Sequence, residues 1–262
     1  MPIINQVVKG GGTTPPALYR EFELNNGLLI PNRTTTHIMD FTGVTDISDY
    51  ALAYAYQNNT VISGTVDMSD LTTLSKGYAC YYMFDGCTGL ISANLSALTT
   101  ISGTSACNEM FHGCTGLISA GLSALTTLSG NYACQQMFQN CTGLINANLS
   151  ALTTISGTGA CNEMFRGCTG LTSANLPSLT TLSGGNACGV MFASCTSLAT
   201  VYIGGTTAID FGTRTNQFNN MFLSCPQDID VYAPAANQAQ IEAFSGYPNF
   251  GATGTVTWHW RS

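Results

Sequence analysis

The dipeptide Met-Phe returns at a fixed interval through most of this 262-residue chain. Met83-Phe84, Met110-Phe111, Met137-Phe138, Met164-Phe165 and Met191-Phe192 lie 27 residues apart, and Met221-Phe222 follows after 30. Around the first five pairs runs Ala-Cys-x-x-Met-Phe-x-x-Cys-Thr-(Gly/Ser)-Leu, as in Ala106 to Leu117. Next comes x-x-Ala-x-Leu-x-x-Leu-Thr-Thr-(Ile/Leu)-Ser-Gly, as in Ile91 to Gly103. A degenerate earlier copy spans Ala51 to Thr60, with Leu52 at the first Cys position, Tyr56 for Phe and Asn59 for the second Cys. A unit this small cannot bury its own apolar face. It must stack on its neighbours, which predicts a quasi-one-dimensional solenoid.

The pattern inside one unit predicts its elements. Cys107, Met110, Phe111 and Cys114 stand at i, i+3, i+4 and i+7, one face of a short helix. Two helical turns are too few to be stable alone, so the helix must pack in the stack. Leu117 to Leu122 alternates as a strand with Ala120 and Leu122 inward, and Leu125 to Leu128 forms a second extended run before Gly130 turns the chain. The expected fold is therefore an α/β solenoid: a leucine-rich-repeat array with one short strand plus one short helix per repeat, capped at both ends. The period falls within the range of about 20–29 residues found for such repeats.

Leu171-Thr172-Ser173-Ala174-Asn175-Leu176-Pro177, followed by an Ala-x-x-x-Met-Phe-x-x-Cys segment, resembles the BspA-like leucine-rich repeat family. Members of that family read Leu-Thr-Ser-x-x-Ile-Pro and then Ala-Phe-x-x-Cys. The resemblance spans roughly residues 44–245. The repeats here are longer than the family's usual unit, and Met-Phe replaces Ala-Phe. The resemblance implies adhesion or binding at surfaces, in gut bacteria or their phages, with no catalytic residues to transfer.

The ends read differently. Met1 to Lys9 has neither the basic start nor the long apolar run of a secretory signal, and Gly10-Gly11-Gly12-Thr13-Thr14-Pro15-Pro16 reads as a linker. Residues 1–16 are thus expected to form an arm and linker, either a frayed terminus tied to the sheet edge or an anchor that docks on a larger assembly. Residues 17–43 are expected to cap the array with strands in Tyr19 to Ile30 and Thr34 to Phe41, turning at Asn25-Asn26-Gly27. The solenoid takes 44–230, and 231–262 form the C-terminal cap. That cap contains a helix over Asn237 to Phe244 and a strand over Thr255 to Trp260.

Eleven cysteines invite disulfide or metal chemistry. On a helix, the two of one repeat would lie about 10.5 Å apart, beyond the roughly 7 Å limit for a disulfide. No pair has the close spacing typical of zinc ligands. Cys107, Cys114, Cys134, Cys141, Cys161 and Cys168, with Phe111, Phe138 and Phe165, are therefore assigned to a reduced core. His112 occupies a variable slot, filled by Gln139 and Arg166 in the next copies, and reads as solvent-facing. Asp67, Asp70 and Asp85 crowd near the first full copy without the spacing of a calcium loop. No nucleophile and base, and no acid/base pair, can be named, so neither an enzyme nor a cofactor is expected.

The charge balance narrows the partners. Only seven Lys and Arg stand in a chain of net charge −7, which excludes a phosphate-neutralising nucleic-acid binder. No apolar run is long enough to predict membrane insertion. Thr100, Thr127, Thr154 and Thr181, one from each recurrent Thr-Thr pair, are expected to form an exposed hydroxyl ladder. With His112, Gln139 and Arg166 they make the candidate binding surface. The expected role is non-enzymatic binding or adhesion on a phage virion, as a fibre or decoration protein. The arm would hold other virion proteins, and the ligand would be a host-surface glycan or protein. A bacterial cell surface is the alternative location. A self-assembling homo-oligomer is the alternative role, and an ice-binding surface a remoter one, because neighbours in a strand face opposite ways.

Overall fold

A computed structural model describes residues 22–25, 28–31, 38 and 40–262. The proposed arm (1–16), His37 and most of the proposed N-terminal cap lie outside the described residues. Within that cap, β1 (Phe22–Asn25) and β2 (Leu28–Pro31) pair as an antiparallel hairpin. Then follow β3 (Gly64–Asp67), β4 (Thr73–Leu74), β5 (Leu90–Asn94), β6 (Thr100–Ile101), β7 (Ser119–Ala120), β8 (Thr127–Leu128), β9 (Asn146–Asn148) and β10 (Thr154–Ile155). The last are β11 (Ser173–Leu176), β12 (Thr181–Leu182), β13 (Thr200–Ile203), β14 (Ile229–Pro234), α1 (Gln238–Glu242) and β15 (Val256–Arg261).

The chain is a β-solenoid of about seven turns. Each step of 27 residues adds one rung to two parallel walls. On the first wall β4, β6, β8, β10 and β12 stack in register, Thr73↔Thr100↔Thr127↔Thr154↔Thr181. On the second, β3-β5-β7 form one sheet and β9-β11-β13-β14-β15 another. Ala120, expected inward on β7, is half-buried, and Leu122 is buried.

The third wall corrects the helix expected in each repeat. Residues 104–113 form successive turns, not an α-helix. Alternate amides bond within the turn, Asn108 to Ser105 O, Met110 to Cys107 O and His112 to Glu109 O. The intervening ones donate to the next turn of the solenoid: Cys107 to Ala133 O, Glu109 to Gln135 O and Phe111 to Met137 O. Every fourth residue takes a left-handed φ, as at Ser105 (51°), Glu109 (54°) and Gly113 (67°). The reason is space. Parallel strands set a rise of about 4.8 Å per rung, whereas a helix with its side chains is about 10 Å across. Helices cannot stack at strand spacing, and turns can. Each non-glycine left-handed residue costs about 1 kcal/mol, offset by the hydrogen bonds between turns.

The inward side chains form columns. Tyr56, Phe84, Phe111, Phe138, Phe165, Phe192 and Phe222 stack with centroids 5.1–6.2 Å apart and planes within 13° of parallel. All eleven thiols are free and buried. In the second cysteine column, each Sγ donates to the carbonyl of an aromatic residue one turn back, as Cys141 does to Phe111 O (3.0 Å) and Cys168 to Phe138 O (3.0 Å). Burial pushes the Cys87 and Cys168 thiols up to about 12. Thiolate is the reactive form, so this core is chemically quiet at neutral pH.

At the C-terminal end β14 and β15 extend the second wall as parallel strands. The expected cap helix is present as a 3-10 turn over Ala235–Asn237 leading into α1, with Ile241 and Phe244 buried.

Candidate binding surface

The threonine ladder runs along the first wall. Thr100, Thr127, Thr154 and Thr181 are half-buried rather than fully exposed. The preceding column is committed to the backbone. Thr99, Thr126, Thr153 and Thr180 Oγ1 donate to the carbonyl of the equivalent threonine one turn earlier, at 3.0–3.3 Å. Pairing Thr with Thr across neighbouring strands is also what a pleated surface favours. These hydroxyls hold the first wall together.

His112, Gln139 and Arg166 project instead from the turn wall, across the corner at 102–104, so the two candidate groups occupy different walls. His112 is not simply solvent-facing. Its Nδ1 lies 2.7 Å from Asp85 Oδ1, and its side chain is 29% exposed. Asp85 Oδ2 also accepts from Gln57 Nε2 at 3.0 Å. Further along, Arg166 Nη1 donates to Glu163 Oε2 at 2.7 Å, and Gln136 Nε2 to the same oxygen at 3.3 Å. Behind them runs an amide ladder, Asn108 to Gln135 (3.1 Å), Gln135 to Asn162 (3.4 Å) and Asn162 to Gly189 O (3.0 Å).

The Asp85 hydrogen bond raises the His112 pKa, against a smaller opposing effect of burial. A histidine pKa raised in the folded state stabilises fully below its unfolded value of about 6.5 and loses that contribution as pH rises through the folded value. Unfolding free energy is therefore expected to fall over that window, and the fall to disappear in His112→Gln. Denaturant titrations across pH, beside an NMR titration of His112, measure it.

The three aspartates are not brought together. Asp67 and Asp70 line a cleft of about 200 Å³ with Asp40, Phe41 and Thr65, whereas Asp85 belongs to the turn wall. Asp70 accepts from Gly43 N (2.6 Å), and Asp67 from Ser69 N (3.1 Å) and Asn94 Nδ2 (2.9 Å). Among the described residues, no group of three or more His, Cys, Asp or Glu converges as metal ligands do.

A feature the sequence reading missed sits at the N-terminal end of the turn wall. Tyr50 stacks on Tyr78 (4.7 Å) and Tyr54 on Tyr82 (5.5 Å), with Tyr81 edge-on to Tyr54, Tyr78 and Tyr82. The Tyr82 hydroxyl donates to Glu109 Oε1. Burial raises the Glu109 pKa, opposed by that hydrogen bond. The signal was available: four of these tyrosines stand four residues apart in two successive copies, at positions 50, 54, 78 and 82.

No family model and no curated protein matches the sequence. Among solved structures, the chain is similar to the leucine-rich repeat protein TpLRR of T. pallidum. That match has 17% identity and a TM-score of 0.48, over 92% of this chain and 100% of that one. It is also similar to a leucine-rich repeat protein from Bacteroides ovatus, with 15% identity and a TM-score of 0.34, over 91% of this chain and 74% of that one.

Proposed function

We propose that this chain is a non-catalytic binding protein whose turn wall contacts a glycan or protein on the surface of a host cell. One observation carries the reading. The backbone of the turn wall repeats while its outward side chains change from copy to copy. One column reads Tyr54, Tyr82, Glu109, Gln136, Glu163, Val190, and its neighbour Gln57, Asp85, His112, Gln139, Arg166, ending at the buried Ala193. Variable side chains on a fixed frame suit recognition, whereas the first wall repeats the same threonines and suits structure. The two columns combine amides and hydroxyls (Tyr54, Tyr82, Gln57, Gln136 and Gln139), able to bind without a charged partner, with carboxylates, an imidazole and a guanidinium.

Unpaired thiols suit a protein that folds in a reducing cytoplasm. They favour carriage on a phage particle, as a fibre or decoration protein, over secretion to a bacterial surface. The experiment is binding of the fluorescently labelled full chain to a broad panel of bacterial cells, with and without enzymatic removal of surface glycans. Saturable binding to a subset of strains is the expected result. Absence of binding across the panel, or self-association as the sole activity, overturns the reading.

A further inference from the structure

We infer that the five-tyrosine platform of Tyr50, Tyr54, Tyr78, Tyr81 and Tyr82 is a saccharide-binding site that takes the flat C–H face of a neutral pyranose ring on Tyr50 and Tyr54. The inference rests on the binding role proposed above and names where on the turn wall it is exercised.

Three observations support this occupant. First, the rings are presented outward. Tyr50 is 49% and Tyr54 39% exposed, so two large apolar ring faces are left in contact with water. Each is backed by a parallel ring one turn on, at 9° and 16°, and among the described residues no ring stacks on its other face. The platform is therefore rigid before binding, which lowers the entropic cost of contact.

Second, the arrangement is a wall and not a cage. Two parallel stacks with one edge-on ring offer flat faces on one side only. An organic cation held by aromatic rings gains most when several surround it. The nearby carboxylates are also committed, Asp85 to Gln57 and His112, and Glu109 to the Tyr82 hydroxyl. They supply hydrogen-bond acceptors at the rim rather than a free negative charge seeking a cation.

Third, the rim is polar and directional. Gln57, Asn58, Asp85 and His112 follow the tyrosines along the same wall, with Asn58 exposed and the others half-buried. Amide, imidazole and carboxylate groups at the edge of an aromatic face match a ring whose hydroxyls project around an apolar face.

The test uses the full chain on an array of immobilised neutral oligosaccharides built from glucose, galactose, mannose and N-acetylglucosamine, with immobilised choline as the cationic probe. The wild-type protein is expected to bind at least one oligosaccharide and not choline. Tyr50→Ala and Tyr54→Ala should each weaken that binding by about tenfold or more, as loss of a central aromatic contact does. Tyr50→Phe and Tyr54→Phe, which keep the ring face, should stay within about threefold. Tyr232→Ala, in the stacked Tyr202–Tyr232–His259 column on the second wall, should leave it unchanged. Unaltered thermal unfolding of the alanine variants separates loss of the site from loss of fold. Saccharide binding that survives both alanine variants, binding of choline alone, or no array binding overturns the inference. Bacterial-cell binding that persists in the tyrosine variants overturns this site while sparing the wider reading. Failure of the wild type to bind any cell overturns that reading itself.

Discussion

Gly157→Ala is expected to destabilise the protein by about 3 kcal/mol, the upper end of the usual overpacking cost. The glycine belongs to a column at the corner between the first wall and the turns. A Cβ on Gly103, Gly130, Gly157 or Gly184 would lie 2.0–2.3 Å from the carbonyl oxygen of the residue 27 positions earlier. For Gly157 that oxygen is Gly130 O, at 2.0 Å. Both partners are backbone, so no side chain can swing aside. The rise cannot grow locally, because Thr154 and Ile155 are fixed in register to the strands on either side. Gly113→Ala is the informative comparison. Its φ is +67°, but the nearest atom to an added Cβ is 3.8 Å away. It meets only the left-handed backbone penalty, about 1 kcal/mol. Denaturant midpoints of the two variants should differ accordingly. Equal midpoints would mean that the corner is not packed at backbone contact.

The same glycine column shows what the sequence could and could not reveal. The recurrent Ser-Gly marked a corner, and the interval of 27 marked a stack. Both follow from one rule: identical units must bury identical faces against each other. The shape of the unit was harder. The left-handed residues of the turn wall recur every four positions, and the apolar ones at i, i+3, i+4 and i+7. Over two turns of chain, that spacing cannot be told from the 3.6-residue helical period. Strand rise decides between them, and no single repeat contains it. The helix reading weighed only the two cysteines of one repeat and set them about 10.5 Å apart. The thiols that influence one another are equivalents in adjacent turns: Cys134, together with burial, raises the Cys107 pKa well above its usual value.

The surface was legible where its chemistry is local. The recurrent threonine pairs marked the first wall, but adjacent members do not face opposite sides as in a regular strand: Thr126 and Thr127 Oγ1 lie 3.4 Å apart, as do those of Thr153 and Thr154, because both amides of a pair donate to one carbonyl of the preceding turn. His112 was less legible, because its partner Asp85 lies one full turn away and comes within reach only once the register is known. The tyrosines were hidden differently. They occupy variable positions of the degenerate copy and of the first full one, where a search for repetition gives them no weight, yet stacking brings them into a single patch.

Phe138→Ala is expected to cost about 3–5 kcal/mol, the range for truncating a buried phenylalanine, and to change how the protein unfolds. Phe138 is fully buried at the middle of the aromatic column, with Phe111 and Phe165 each 5.6 Å away in near-parallel planes. The neighbouring rings cannot close the gap, because their backbones are held by the hydrogen bonds between turns, including Phe138 N to Met164 O and Phe111 N to Met137 O. In a solenoid each unit touches only its neighbours, so cooperativity depends on every interface being strong. A cavity at the central one should let the two halves unfold separately. Both tryptophans, Trp258 and Trp260, lie in β15, so their fluorescence reports on the C-terminal end while far-UV circular dichroism reports on the whole chain. The two denaturation curves should coincide in the wild type and separate in Phe138→Ala. Phe222→Ala removes a ring that stacks in the column only on Phe192, at 6.2 Å. It should cost less and shift the fluorescence curve first. Coincident curves in Phe138→Ala, despite a comparable loss of stability, would show that coupling between turns runs through the hydrogen-bonded walls rather than through the aromatic column.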